Sequence, residues 1–177
     1  MSTPGRPAGD PAGRILDAAA DLFAEHGVNA VGMGAIARAA GCSRATLYRY
    51  FADRHDLHLA FVHREARRIG GLVAAETAQL RRSDRLAASV LAAVRHVREA
   101  PTLLARFGTA DAGTTARLAQ SDEVVEALGL SAVGDPDDAK WLVRVIVSLL
   151  MVPGRDDADE RAMVERYVVP ALVRPPR

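Results

Sequence analysis

The sequence has few of the residues that form disulfides, cysteine-rich metal sites or polybasic tails. Among its 177 residues there is one cysteine, Cys42, which excludes an intramolecular disulfide and a cysteine-rich zinc site. Lysine is equally rare, since Lys140 is the only lysine in a chain with 22 arginines. The net charge is only +1. Like charges never form a block longer than two or three residues, so a polybasic tail is excluded as well.

Long apolar runs are also missing. The longest strongly apolar stretch, Trp141 to Pro153, contains Arg144 and Ser148 and is shorter than the ~20 residues that span a bilayer. Met1 to Ala12 is rich in glycine and proline and has no apolar core, which predicts neither a signal peptide nor a helix. We therefore expect a soluble, cytoplasmic protein with no membrane partner.

The chain does carry a helical pattern. Hydrophobic residues make up 49% of it, helix formers dominate from residue 13 onward, and β-branched alternation is missing, so an all-α fold is predicted. Arg14 to His26 is amphipathic, and Gly27 ends this helix. Further helices are predicted over residues 33–40, 44–51, 53–80, 84–99, 101–107, 114–128, 136–152 and 157–172. Within the third of these we expect a kink, a fray or a hinge at Gly70-Gly71, and Ser83 or Asp84 as the cap of the next.

Residues 33–51 have the most informative spacing. Two short helices, Met33 to Ala40 and Arg44 to Phe51, flank the turn Gly41-Cys42-Ser43, whose serine suits the N-cap of the second helix. Helices that cross steeply over such a turn need a small residue at the crossing, a glycine in the turn and an apolar anchor. These three positions are met by Ala37, Gly41 and Leu47. The spacing predicts a helix-turn-helix, with an ordinary αα-hairpin as the alternative.

The outward face of the second helix is strongly polar. Hydroxyls, phenols and guanidinium groups at a helix N-terminus suit phosphate oxygens and base edges, because the terminus offers free N–H groups and partial positive charge. Between residues 44 and 68 there are six arginines against three acidic residues, a local charge of +3. The chain therefore carries a candidate DNA-binding surface. Its members are Ser43, Arg44, Thr46, Tyr48, Arg49, Tyr50 and Arg54.

The residues around this surface resemble a known family. Ile15 to Ala19, Leu22 to Gly27, and Ile36 to Leu57 closely resemble the DNA-binding domain of tetracycline-repressor-like (TetR) transcriptional regulators. The resemblance implies a three-helix helix-turn-helix DNA-binding domain over residues 13–62 and a helical ligand-binding and dimerisation domain over residues 63–177. It further implies a repressor that binds a palindromic operator in double-stranded DNA as a homodimer and is released by a small-molecule effector.

The resemblance also implies roles for individual residues. Arg44 would reach base edges, with guanine as the expected partner, and Ala45 would touch a thymine methyl. Arg54 matches a lysine that holds the DNA backbone, whereas the position of Arg49 varies and leaves its role open. Phosphate-holding positions are matched by Thr46, Tyr48 and Tyr50. Tyr48 is also placed to touch bases.

Two glycines depart from the family pattern. Gly32 stands where the family usually caps its second helix with serine or threonine, and Gly34 stands where a polar residue is common. The missing hydroxyl at residue 32 should weaken the cap by a few tenths of a kcal/mol and removes a potential phosphate ligand.

The C-terminal half favours a subunit interface. Trp141 to Val152 is apolar nearly all round, apart from Arg144 and Ser148, and such a helix needs cover on two sides. A second subunit is the expected cover. The expected interface residues are Ile146, Leu149, Leu150, Val164, Tyr167 and Val168. The expected lining of an effector pocket is His96, Leu103, Phe107, Trp141 and Val145, with Leu91 and Arg98 among the further candidates.

Other interpretations carry less weight. Cys42 suits a small buried hydrophobe better than a thiol switch. His55, His58 and His63 are expected to face solvent or phosphate, because His63 does not align with the other two and no carboxylate completes a metal site. A nucleophile with a base and a glycine-rich phosphate loop are also missing, so no enzyme, metal or cofactor is predicted. The alternative function is a DNA-binding regulator, or local nucleoid organiser, without a small-molecule ligand.

Overall fold

The structure is a computed structural model that describes residues 10–100, 102–103, 120–130 and 135–172. These residues form helices joined by short connections, and no strand occurs among them, so the all-α prediction is confirmed. The chain divides into two compact units, with the boundary between Val62 and His63. Within the described ranges, no helix has the length and apolar character needed to cross a membrane.

The first unit contains three helices and the start of a fourth. Helix α1 spans Pro11–His26, α2 spans Met33–Ala39, α3 spans Arg44–Tyr50, and α4 begins at Arg54. Helix α1 packs on α2, and both contact α3. Apolar side chains from all four helices form the core. Those buried are Ile15, Ala19, Phe23, Ile36, Leu47, Leu57 and Phe61.

Helix α1 begins earlier than predicted. The Asp10 carboxylate accepts hydrogen bonds from the backbone N–H groups of Ala12 at 3.1 Å and Gly13 at 3.2 Å. Pro11 occupies the first helical position, where its missing N–H has no cost. The expectation that residues up to Ala12 are not helical is therefore wrong for the last two, while residues 1–9 lie outside the described part of the chain. The helix ends before Gly27, as predicted.

The second unit holds the remainder of α4, which ends at Thr77, and the helices after it. These are α5 (Arg82–Arg98), α6 (Asp122–Ala127), α7 (Pro136–Met151), α8 (Asp157–Met163), a π-helical turn (Val164–Val168) and α9 (Val169–Leu172). Helices α5 and α6 both pack on α7, and α5 also contacts α8 and the π turn. Fully buried side chains here include Ile69, Val90, Val94, Leu142 and Val164.

The ends of these helices differ in places from the prediction. Helix α5 starts at Arg82, with Arg81 at the N-cap and no capping side chain, so the predicted capping by Ser83 or Asp84 is wrong. The π turn interrupts the predicted helix 157–172, and hydrophobic spacing does not signal such a turn. Most of the predicted helix 101–107 and the first part of 114–128 lie outside the described residues.

Helix α4 runs through Gly70 and Gly71 without a break in its helical structure. Gly70 is buried, and a Cβ atom there would collide with the carbonyl oxygen of Ala127 at the end of α6. A Cβ at Gly71 would meet nothing within 4 Å. The first glycine is therefore explained by the close approach of another backbone, one of the uses of a residue without a Cβ atom.

Candidate nucleic-acid interface

Helix α3 is held by its N-cap and by one buried leucine. The Ser43 hydroxyl accepts a hydrogen bond from the Thr46 backbone N–H at 3.0 Å, so the capping prediction is confirmed. The two hydroxyl oxygens are also 3.0 Å apart. Leu47 is fully buried, and Gly41 in the preceding turn has φ 65°, in the left-handed region that favours glycine. These features turn one side of α3 inward, against α1 and α2.

The other side of α3 is polar and open to solvent. Arg44, Ala45 and Arg49 are exposed, and the exposed fractions of Tyr48 and Tyr50 are 48% and 40%. The guanidinium carbon of Arg49 lies 5.2 Å from the centroid of the Tyr50 ring, within the range of a cation–π contact. These five residues are called the α3 face below. Thr46 is half-buried at its edge.

Arg54 has a structural role that its match to a phosphate-holding lysine did not indicate. Its Nη2 atom donates hydrogen bonds to the carbonyl oxygens of Val28 at 2.6 Å and Asn29 at 3.1 Å. These bonds tie the first turn of α4 to the connection between α1 and α2. A guanidinium has five N–H donors, so the two bonds leave donors for a phosphate. Nearby, Asp53 caps α4 by accepting from the Asp56 N–H at 2.8 Å.

The three histidines between residues 55 and 63 lie in different surroundings. His58 is buried and packs edge-on against Phe23, with ring centroids 5.2 Å apart, so the expectation that it faces solvent or phosphate is wrong. His55 is half-buried. His63 lies in the second unit with its Nε2 atom 3.3 Å from the Ser121 hydroxyl, and burial lowers its pKa. In the described ranges no three His, Cys, Asp or Glu side chains are arranged to hold a metal ion.

The second unit contains a cavity of about 520 Å³. Its apolar lining consists of Leu80, Ala88, Leu91 and Ala92, and its charged lining includes Glu76, Arg95, Arg98, Glu99 and Glu160. Leu91 and Arg98, two of the candidates for an effector pocket, both line this cavity, and their role in effector binding stays a prediction. A cavity of this size and mixed lining can hold a small molecule.

Of the five residues expected to line an effector pocket, the four that the structure describes do not line this cavity. His96 contacts two glutamates of the cavity lining, with Nε2 2.6 Å from a Glu76 oxygen and Nδ1 3.2 Å from a Glu99 oxygen. Leu103 is buried, and Trp141 and Val145 are half-buried, none of them in the cavity lining. Phe107 lies outside the described residues.

Arg98 and Glu160 form a bidentate ion pair at the cavity wall. Arg98 Nη1 and Nη2 donate to the Glu160 carboxylate at 2.9 and 2.6 Å, and Nη2 also donates to the Leu149 carbonyl at 3.0 Å. Glu160 is only 3% exposed and accepts a further bond from the Gly154 N–H at 2.9 Å. The hydrogen bond from Arg98 lowers the pKa of Glu160. Sequence reasoning missed this pair, because its members lie 62 residues apart.

The residues expected at a subunit interface divide into two groups. Those buried within the chain itself are Ile146, Leu149, Leu150, Val164 and Val168. Tyr167 is 63% exposed, with the guanidinium carbon of Arg166 5.5 Å from its ring centroid. Apolar spacing cannot distinguish a helix face that packs inside one chain from a face that packs against another. Other exposed large apolar residues of this unit are Leu72, Leu80, Met151, Val152 and Met163.

The two short helices α2 and α3, joined by a turn that contains Gly41, have the arrangement of a helix-turn-helix, and the polar, exposed second helix places the chain in the class of helix-turn-helix DNA-binding proteins. A profile of the family described as "Bacterial regulatory proteins, tetR family" matches residues 15–61. An uncharacterised HTH-type transcriptional regulator of Mycobacterium tuberculosis, Rv1255c, is 46% identical over 172 residues, which cover 91% of this chain and 85% of that protein. The chain belongs to the tetR family of bacterial regulatory proteins, so the predicted resemblance and the predicted function of DNA-binding transcriptional regulator are confirmed.

Solved structures share the fold. The TetR family repressor AlkX from Dietzia sp. strain DQ12-45-1b is 20% identical, with coverage of 95% of this chain and 97% of that chain and a TM-score of 0.68. A TetR transcriptional regulator from Rhodococcus sp. RHA1 is 21% identical, with coverage of 93% and 99% and a TM-score of 0.62. At this level of identity the likeness concerns the fold alone.

Proposed function

We propose that this regulator binds a palindromic operator as a homodimer, represses transcription from it, and releases it when a small molecule occupies the second unit. In this proposal residues 13–62 bind DNA, and residues 63–177 bind the effector and form the dimer. The protein acts in the cytoplasm and catalyses no reaction. The observation that carries the proposal is the α3 face, because two tyrosines and two arginines are held open to solvent by a helix whose opposite side is buried.

The α3 face supplies both kinds of contact that an operator needs. Arg44, at the first position of α3, reaches base edges, with a guanine as its partner and Ala45 beside a thymine methyl. Tyr48 and Tyr50 hold phosphates, as does Thr46 at the edge of the face, and Arg49 adds charge from above the Tyr50 ring. Ser43 caps the helix. Arg54 contacts the DNA backbone with the N–H donors that are not bonded to the carbonyl groups of Val28 and Asn29.

The bound DNA is expected to be an inverted repeat. Two copies of α3 related by a two-fold axis read half-sites about one helical turn, or a multiple of a turn, apart. Selection of bound duplexes from a random pool, followed by sequencing, checks this. An Arg44→Ala variant run in parallel should lose preference at one base pair per half-site and so identify the position that Arg44 reads. A consensus without dyad symmetry would contradict the proposed homodimer.

The cavity supports the effector part of the proposal. Its apolar lining beside arginine and carboxylate groups suits a small molecule with both apolar and polar parts. A panel of such compounds should contain members that raise the melting temperature of the protein and displace it from the selected duplex. Leu91→Trp, which narrows the cavity, should weaken both effects while DNA binding persists. A panel that shifts neither property would favour the ligand-free regulator or nucleoid organiser.

A further inference from the structure

Gly34 and Arg44 meet where α2 and α3 approach each other. Gly34 is the second residue of α2, and Arg44 is the first residue of α3. A Cβ atom built on Gly34 would lie 2.5 Å from Arg44 Nη2 and 3.0 Å from both Cζ and Nε. The guanidinium group of Arg44 therefore occupies the space that any other residue at position 34 would need for its side chain.

Gly32, two residues earlier, provides a contrast. A Cβ atom there would meet nothing within 4 Å, so Gly32 could be replaced without touching Arg44. Gly34 lies inside a helix, where glycine is the poorest helix former apart from proline. A glycine at this position weakens α2. The structure shows one reason for a glycine there, which is that it leaves space for the Arg44 side chain.

We propose that Gly34 determines the base preference of this regulator by leaving open the space that the Arg44 guanidinium occupies. This inference rests on the proposed function, in which Arg44 reads base edges. Arg44 is exposed, and a methyl group at position 34 would exclude the orientation that its side chain adopts. That orientation sets the angle from which a planar, bidentate donor approaches a base. Gly34 contacts no base and acts as a positioning residue.

Alanine at position 34 isolates this role. The atoms it displaces belong to the far end of a flexible side chain, so the guanidinium must move while the backbone keeps its place. Alanine is also the better helix former, so the Gly34→Ala variant should melt at the same temperature as the wild type or higher. Gly32→Ala is the matched control, since it adds the same methyl group in open space.

The test uses the duplex consensus selected by the wild-type protein and the three duplexes substituted at the base pair that Arg44→Ala identifies. Gly34→Ala should lose about tenfold or more of the preference for the consensus at that base pair. Gly32→Ala should stay within about twofold of the wild type at every base pair. Binding of all three proteins to a scrambled duplex should be alike, because the phosphate contacts are unchanged.

A double-mutant cycle shows whether Gly34 acts through Arg44. In an Arg44→Ala background, Gly34→Ala should have no further effect on base preference, whereas independent effects would add. Additive effects, an equal loss of affinity for all sequences, or an unchanged or increased base preference in Gly34→Ala would each overturn the proposal. A wild type that selects no consensus would instead overturn the proposed function itself, and would be visible before any variant is made.

Discussion

Replacing Tyr167 with glutamate is expected to leave a monomer that binds the operator about 100-fold or more weakly than the wild type. Joining two recognition helices in one dimer raises the affinity by that order, because the second half-site is bound at high effective concentration. A carboxylate in the interface would be desolvated without a partner. A two-fold interface repeats the same defect on both subunits. Light scattering and a titration against the selected duplex measure the two effects.

Tyr167 is the informative position because of its exposure. It is 63% exposed, whereas Ile146 at the middle of α7 is 4% exposed and supports the core of its own chain. A charge at residue 146 would unfold the unit and could not separate assembly from folding. Tyr167→Phe is the control, since it keeps the ring and should remain dimeric with full affinity. If Tyr167→Glu is a stable dimer with unchanged affinity, the interface lies elsewhere.

Replacing Arg98 with methionine is expected to lower the free energy of unfolding of the second unit by about 3 kcal/mol. Removing one member of a buried ion pair leaves the other charge without compensation, and such changes cost about 3 to 5 kcal/mol. The lower end applies because Arg98 itself is only half-buried. The Glu160 carboxylate would keep the Gly154 N–H as a donor but lose both guanidinium bonds. Urea denaturation followed by circular dichroism measures the loss.

Arg95→Met is the matched control on the same helix. Arg95 pairs with Glu76 where both side chains are largely open to water, and exposed pairs contribute little. The Arg95 variant should therefore unfold close to the wild type. Equal losses in the two variants would show that burial of Glu160 does not strengthen its pair.

The Arg98 pair also gives stability a defined pH dependence. Because the guanidinium lowers the pKa of Glu160 below its ordinary value of 4.5, the stabilisation is present above that value. It is lost as the pH falls through the lower pKa of the folded protein. The difference in unfolding free energy between the wild type and Arg98→Met should therefore be largest at pH 7 and should decrease below pH 4.5. A gap that stays constant on acidification would contradict the assignment.

Features set by neighbouring residues could be predicted from the sequence. The Ser43 cap and the Gly41 turn depend on contacts within a few residues, and both are found. Leu47 is buried, as its place as the apolar anchor of α3 predicts. Two other features depend on how distant segments meet. Arg54 reaches carbonyl groups 25 and 26 residues away, and Arg98 reaches a carboxylate 62 residues away. No periodic pattern records such partners.

The subunit interface shows a different limit. Ile146, Leu149 and Leu150 have the spacing of an apolar face, but burial within the chain already accounts for that spacing. Tyr167 is expected at the interface on the same kind of apolar pattern, and its side chain remains exposed. The hydrophobic effect depends on the area removed from water and not on which chain removes it. A sequence pattern therefore predicts that an apolar face is buried, but it does not predict whether the same chain or a second subunit buries it.

The neighbouring glycines of α4 are under different steric constraints. At Gly70 even one methyl group would strike the backbone of α6, so accepting it would require a compensating shift in a segment more than fifty residues away in the chain. Gly71 faces open space, where alanine would strengthen the helix. Of two adjacent and identical residues, we expect the first to stay glycine among descendants of this sequence because a distant part of the chain requires it, and the second to vary.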